Sequence, residues 1–204
     1  MEKFTNVEFD KNVNPKDAIE VVRSRGACAV RNFATAEQLE DAAELLRSQR
    51  MVLDENMTDR VKRRQHMNAY GFGDNATPPP LQKLAVGVKD FVHRGEFDWQ
   101  PNEIIAHRYE SSGFIGRHRD YSEAYGLVAV LTIEGHQDFY VELDGEDDPT
   151  QITMEPGMLT VLRGFTGNLE DRPFHWVTEP EPQRTAISIR DMRSVWTPGP
   201  NEWA

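Results

Sequence analysis

Cysteine is nearly absent from this chain. Cys28 is the one thiol, so no internal disulfide can staple the fold, and its setting in Ala27-Cys28-Ala29-Val30 suits a small buried hydrophobe better than a reactive nucleophile. Long apolar runs are missing as well. The longest, Leu127 to Ile133, is far short of the roughly 20 residues that a membrane-spanning helix needs. The opening residues Met1-Glu2-Lys3-Phe4-Thr5-Asn6 have neither the basic start nor the apolar stretch of a secretory signal, and a cytoplasmic location is the expectation. Basic residues are in deficit, 23 against 34 acidic for a formal charge of −11, which disfavours duplex DNA as a partner. A local exception, Arg60, Lys62, Arg63 and Arg64, reads more simply as a solvated polar stretch.

What is present has the balance of a globular protein. With 28% charged and 38% hydrophobic residues, the chain resembles neither a disordered segment nor a membrane protein. Its 204 residues suffice for a single domain with its own core.

Asn14-Pro15 offers an N-cap followed by proline at the first helical position, with Ile19 and Val22 behind it, and so predicts a short helix. A strand through Ala27 to Val30 should follow. Thr35 with Gln38 has the form of a capping box, and Leu39, Ala43 and Leu46 recur at helical spacing, giving a second helix. Residues 52 to 78 are polar, contain Gly71 and Gly73 and run into Pro78-Pro79-Pro80, which predicts a long irregular segment suited to a substrate lid. Leu81, Leu84, Ala85, Val88 and Val92 then form the apolar stripe of a third helix.

From Ile104 onward the pattern changes to short strands between turn signals such as Asp144-Gly145 and Pro156-Gly157. Strands are expected at Ile104–Tyr109, Leu127–Ile133, Phe139–Leu143, Gln151–Met154, Met158–Leu162, Phe174–Thr178 and Thr185–Ile189. The class implied is α+β, mainly β: a jelly roll with N-terminal helices packed on one sheet. Residues 1–100 would supply helical support and the lid, and residues 101–193 the jelly-roll core.

Chemistry concentrates in Arg117-His118-Arg119-Asp120. In an extended segment residues two apart point to the same side, so His118 and Asp120 can reach one ion together. His175, inside a later predicted strand, can deliver a second imidazole. Two histidines and one carboxylate on one face leave coordination positions open, as in non-heme iron(II) oxygenases. Arg184 opens the strand-like run Arg184-Thr185-Ala186-Ile187-Ser188-Ile189-Arg190. A guanidinium inside an apolar barrel needs an anion, and its fork suits a carboxylate. Alternatively Arg184 sits at the surface against Glu179 or Glu181. His66, His93 and His136 read as exposed or at strand ends, and Trp99, Phe114, Tyr125 and Phe139 as packing.

Several of these pieces together resemble the AlkB-like branch of the iron(II)/2-oxoglutarate dioxygenases, across residues 64 to 192. His107-Arg108-Tyr109 followed by His118-Arg119-Asp120-Tyr121-Ser122-Glu123 is similar to that family's N-x-Y strand and H-x-D-x-x-E metal motif. Arg184 to Arg190 is similar to its R-x-N-x-T-x-R motif, and Tyr70-Gly71 and Pro79-Pro80-Leu81 are similar to pieces upstream. The resemblance implies a double-stranded β-helix in which His118, Asp120 and His175 hold Fe(II) and act in catalysis. It implies that Tyr109, Arg184 and Arg190 hold 2-oxoglutarate, that O2 is the oxidant, and that Glu123, with Tyr121 nearby, lies at the substrate pocket. His107 and Ala186 depart from the family pattern, each replacing an asparagine. Asp120 disfavours halogenation, because related halogenases lack this carboxylate.

Three functions stay open on the sequence. The first is hydroxylation or oxidative demethylation of a small molecule or protein side chain, with succinate and CO2 as co-products. The second is AlkB-type dealkylation or hydroxylation of nucleobases, which the −11 charge opposes. The third is a non-enzymatic jelly-roll binding domain.

Overall fold

The computed structural model describes residues 7–58, 62–73, 77–180 and 183–193. The expected jelly roll is present: a curled sheet of twelve strands, with helices against one side. The strands are β1 (Glu8–Asp10), β2 (Ala27–Arg31), β3 (Val52–Met57), β4 (Lys62–Gly71), β5 (Glu103–Tyr109), β6 (Phe114–His118), β7 (Ala124–Glu134), β8 (Gln137–Val141), β9 (Thr150–Met154), β10 (Leu159–Arg163), β11 (His175–Val177) and β12 (Arg184–Met192). The helices are α1 (Pro15–Arg25), α2 (Ala36–Ser48) and α3 (Pro79–Arg94). The pairing order runs β1-β2-β10-β7-β12-β5-β4-β6-β11-β8-β9, with β3 on the free side of β4.

Local chemistry explains the helix ends. The Asn14 side chain accepts the Lys16 N–H ahead of Pro15, and Thr35 and Gln38 exchange the two hydrogen bonds of a capping box. The third helix begins within the triple proline, Pro79 and Pro80 filling positions that need no N–H donor. The three helices pack on one another and on β2, β7 and β10. Cys28 is fully buried in β2, as its apolar setting predicts, and burial pushes its thiol up to about 12.

The long strands alternate. In β12, Arg184, Ala186, Ser188 and Arg190 line a cavity, while the residues between them, Thr185, Ile187 and Ile189, are buried on the other face. The turn from β7 to β8 is Gly135-His136. At Gly135 φ is +70°, and an added Cβ would lie 1.8 Å from the carbonyl oxygen of Gln183. Only glycine lets the chain entering β12 pass that close.

One sequence expectation is corrected. Residues 52 to 78 are not one irregular segment, since β3 and β4 form a hairpin joined to the main sheet through β5 and β6. The first hundred residues therefore supply β1 to β4 to the sheet as well as the helices. The strands β1 and β6 also escaped the sequence reading. No helix among the described residues is long and apolar enough to cross a membrane.

Candidate active site

His118 ends β6 and His175 begins β11, and antiparallel pairing sets the two directly opposite each other. Asp120 stands just past the end of β6. One ligand atom from each of His118, Asp120 and His175 lies within 4.8 Å of the others. His175 Nε2 is 3.7 Å from Asp120 Oδ2, and the two imidazole centroids are 4.3 Å apart. Each ring uses Nδ1 on a backbone carbonyl, His118 on Gly116 at 2.8 Å and His175 on Pro173 at 3.2 Å. A carbonyl only accepts, so the proton sits on Nδ1 and the Nε2 lone pair stays free for a ligand bond. Burial, reinforced by His175, pushes His118 down to about 4 and keeps it neutral. At Asp120 burial opposes ionisation, but His175 and His118, with Arg190 and Arg172, outweigh it and hold the carboxyl below its ordinary range. Two imidazoles that turn Nδ1–H toward backbone carbonyls and an ionised carboxylate form the kind of donor set that a divalent cation requires.

The triad opens onto a cavity of about 200 Å³. At another part of its wall Arg184 begins β12 opposite Tyr109 in β5. Arg184 is 2% exposed, which removes the surface pairing with Glu179; Glu181 lies outside the described residues. Its guanidinium donates to Thr132 Oγ1 at 3.0 and 3.2 Å and to Gln137 Oε1 at 3.1 Å. These oxygens are neutral, and no carboxylate pairs with Arg184 among the described residues. Burial lowers its pKa to about 10. A buried cation left with neutral partners is costly until an anion arrives. Tyr109 lies under this guanidinium, 5.7 Å from ring centroid to Cζ, and burial raises its phenol to about 12, so it stays a protonated donor.

Arg190, six positions along β12, is 7% exposed, and its Nε lies 3.1 Å from Glu103 Oε2. His107 lies on the wall with Tyr109. Its Nδ1 is 3.0 Å from Gln65 Oε1 and its Nε2 is 2.9 Å from Ser188 Oγ. Burial, then Arg190 and Arg184, push it down to about 3, so it is a neutral bridge: Nδ1–H donates to Gln65, and Nε2 accepts from the Ser188 hydroxyl. His107 and Ala186, the two departures from the family pattern, are direct cross-strand partners. The larger ring stands opposite the smaller methyl, so the two exchanges share one patch of wall.

Tyr121 lines the cavity at 43% exposure. Glu123 is not part of the lining; its carboxylate accepts from Ser122 Oγ at 3.1 Å. The sequence suggests 52 to 78 as a lid without singling out its wall residues, Asp54 from β3 and Arg63, Gln65 and Met67 from β4. Asp54 Oδ2 pairs with Arg63 Nε at 2.6 Å. The available signal was weak, because Arg63, Gln65 and Met67 alternate with the equally polar Arg64, His66 and Asn68. Of the other histidines, His136 is exposed, His93 meets the Trp99 carbonyl oxygen at 2.8 Å, and His66 lies 3.5 Å from Glu110.

No family model matches the chain, and no curated protein is significantly similar to it in sequence. Solved structures do share its fold. A prolyl-4-hydroxylase from Pseudomonas putida superposes with a TM-score of 0.72 at 13% identity, covering 89% of this chain and all of that one. A 2OG-Fe(II) oxygenase family protein from Burkholderia pseudomallei gives 0.70 at 14% identity, over 91% of this chain and 94% of its own. A prolyl hydroxylase from Trichoplax adhaerens, in complex with a hypoxia inducible factor peptide fragment, gives 0.63 at 14%, over 84% and 86%. At such identities the likeness is one of fold. The chain has the fold of the 2OG-Fe(II) oxygenases, and its His-Asp-His cluster is a possible metal site.

Proposed function

We propose that this protein is an iron(II) and 2-oxoglutarate dependent dioxygenase that hydroxylates, or oxidatively demethylates, a C–H group of a small molecule or protein side chain. The observation that carries the proposal is a two-part site on one cavity wall. A His-Asp-His face with free Nε2 lone pairs is joined by a buried guanidinium that meets no carboxylate among the described residues. Neither feature stabilises the empty protein, and each fits one part of the same cofactor pair.

His118, Asp120 and His175 would hold Fe(II). Arg184 and Tyr109, with Arg190, would hold 2-oxoglutarate. Iron with 2-oxoglutarate and O2 supplies the oxidation when bound, with succinate and CO2 as co-products. The chain's own residues do the rest. The Nδ1–H bonds fix both imidazoles, the apolar wall of Val128, Val130, Phe139 and Leu162 excludes water, and Tyr109 keeps its proton as a donor. Tyr121, Asp54 and Arg63 lie where the hairpin would cover the primary substrate as a lid.

Within this class, motif order supports kinship with the AlkB-like branch, while charge supports a substrate other than duplex DNA. Four of the basic residues that could form a polyanion-binding face are paired with carboxylates, Arg63 with Asp54 at 2.6 Å, Arg64 with Glu55 at 3.6 Å, Arg117 with Glu142 at 2.6 Å and Arg119 with Glu170 at 2.7 Å, while Lys62 is exposed. Arg60 lies outside the described residues. A face neutralised in this way has little free charge to exchange for counterions.

The test is succinate formation under Fe(II), 2-oxoglutarate and O2 across amino acids, peptides, metabolites and methylated oligonucleotides, with formaldehyde followed in parallel. Substrate-dependent succinate without oligonucleotide turnover is the expected result. Formaldehyde released from a methylated oligonucleotide would move the protein to the nucleobase dealkylases. Failure to bind either metal or 2-oxoglutarate would leave the binding-domain alternative.

A further inference from the structure

We infer that Phe174, clamped by Arg117 and Arg119 behind the metal-facing imidazoles, is a positioning residue that fixes the register of the His118–His175 pair. The inference rests on the functional reading above, because it concerns how this chain presents its metal ligands.

The backbone between these ligands is a weak ruler. β11 has three residues, and it pairs with β6 only at His175 opposite His118 and Val177 opposite Ile115, with a bulge in between. Regular pairing with β8 at all three residues sets the other edge of β11, so what the bulged ladder leaves loosely specified is the register of β6 against β11, and a slip of one residue there would part His118 from His175. Something besides that ladder must hold the pair.

The residues flanking the ligands provide that hold. Arg117 and Arg119 bracket His118 in sequence, and Phe174 precedes His175. Both guanidiniums lie over the Phe174 ring, with Cζ 3.5 Å and 3.9 Å from its centroid. Phe174 is not part of the cavity wall, so the contact needs no substrate role to explain it. Two cations on one ring would repel, but each is tied to its own carboxylate. Glu142 takes Arg117 through two contacts at 2.6 and 2.8 Å, and Glu170 takes Arg119 at 2.7 Å. The Glu142 N–H donates to the Phe174 carbonyl at 2.9 Å, which returns the linkage to β11. Arg172 also donates to the backbone carbonyl of Asp120. Segments 117–120 and 172–175 are thus cross-tied beside the ligands, Arg119 reaching the cavity wall and Phe174 and Arg117 lying outside it, each guanidinium–ring contact being of a strength that persists when partly desolvated.

The experiment measures Mn(II) affinity by calorimetry and by the Mn(II) paramagnetic resonance spectrum, with Tm recorded for every protein. Phe174→Ala and Phe174→Leu should weaken Mn(II) binding about 10-fold or more, the loss typical when the support of a metal ligand is removed. Phe174→Tyr keeps the ring and should stay near the parent affinity. The Leu variant retains apolar volume, so it remains informative if the Ala variant does not fold. Lowered Tm with unchanged Mn(II) affinity in Phe174→Leu would reduce the clamp to ordinary packing and overturn the inference. If the parent protein itself binds no Mn(II), the functional reading falls first and the clamp with it.

Discussion

The long strands β5, β7 and β12 and the short strands β6 and β11 carry the two halves of one site, and they hold their side chains by different means. Arg184 and Tyr109 sit in β12 and β5, whose pairing continues without a break from Arg184 opposite Tyr109 to Arg190 opposite Glu103. Position there follows from the sheet itself, since alternation aims each side chain and burial keeps it in place. His118 and His175 sit where the ladder is short and bulged, and their aim depends on backbone carbonyls, Asp120 and the Phe174 clamp. One half is specified by regular structure, the other by side-chain ties.

The largest expected effect breaks the second half outright. His118→Ala or Asp120→Ala should abolish iron-dependent succinate formation and leave the circular dichroism spectrum unchanged. Measurable turnover in either variant would remove the triad from the metal site.

Next comes the first half. Arg184→Gln should weaken 2-oxoglutarate binding about 100-fold, as expected when a buried charge loses its counter-charge. A buried cation held down near 10 costs stability until an anion pairs with it, so 2-oxoglutarate should raise the Tm of the parent protein. In the variant that rise should vanish. An Arg184→Gln protein with native affinity would transfer the role to Arg190.

The third effect concerns the neutral bridge. His107 falls from an ordinary 6.5 to about 3 in the folded protein, so the unfolded chain takes up its proton first as pH drops. Its contribution is complete above pH 6.5 and is lost progressively toward pH 3. His107→Asn should therefore flatten the acid side of a stability curve measured by urea unfolding. The remaining slope would come from His118 and the carboxylates.

The smallest effect should fall on the hairpin. Asp54→Asn is expected to raise KM for the primary substrate a few-fold while 2-oxoglutarate affinity stays constant. A change in 2-oxoglutarate affinity instead would tie the hairpin to the co-substrate half.

The same contrast explains what could be read from the sequence. The long strands announced themselves through apolar runs, as Leu127 to Ile133 did for β7, and the helices through Asn14-Pro15 and the Thr35/Gln38 capping box. His118, Asp120 and His175 were legible as residue types at a suitable spacing, and the structure gathers them at one point. The hairpin was not legible, because β4 is polar on both faces and period-two contrast disappears. β6 was hidden by its length and by its Phe-Ile-Gly-Arg-His composition, which shows no alternation and whose meaning is carried by partners far away in the chain. Nor could any local pattern reveal that His107 and Ala186 face each other, since register between β5 and β12 is a property of the assembled sheet.

The buried thiol of Cys28 has a practical consequence for a protein proposed to activate oxygen. Its β2 lies between β1 and β10, and a thiol pushed up to about 12 offers almost no thiolate to an alkylating or oxidising reagent at neutral pH. Modification must wait until β2 separates from its neighbours. Because it is the chain's one cysteine, the rate of its labelling is a built-in clock for opening of the β1-β2-β10 end of the sheet, readable without introducing any probe.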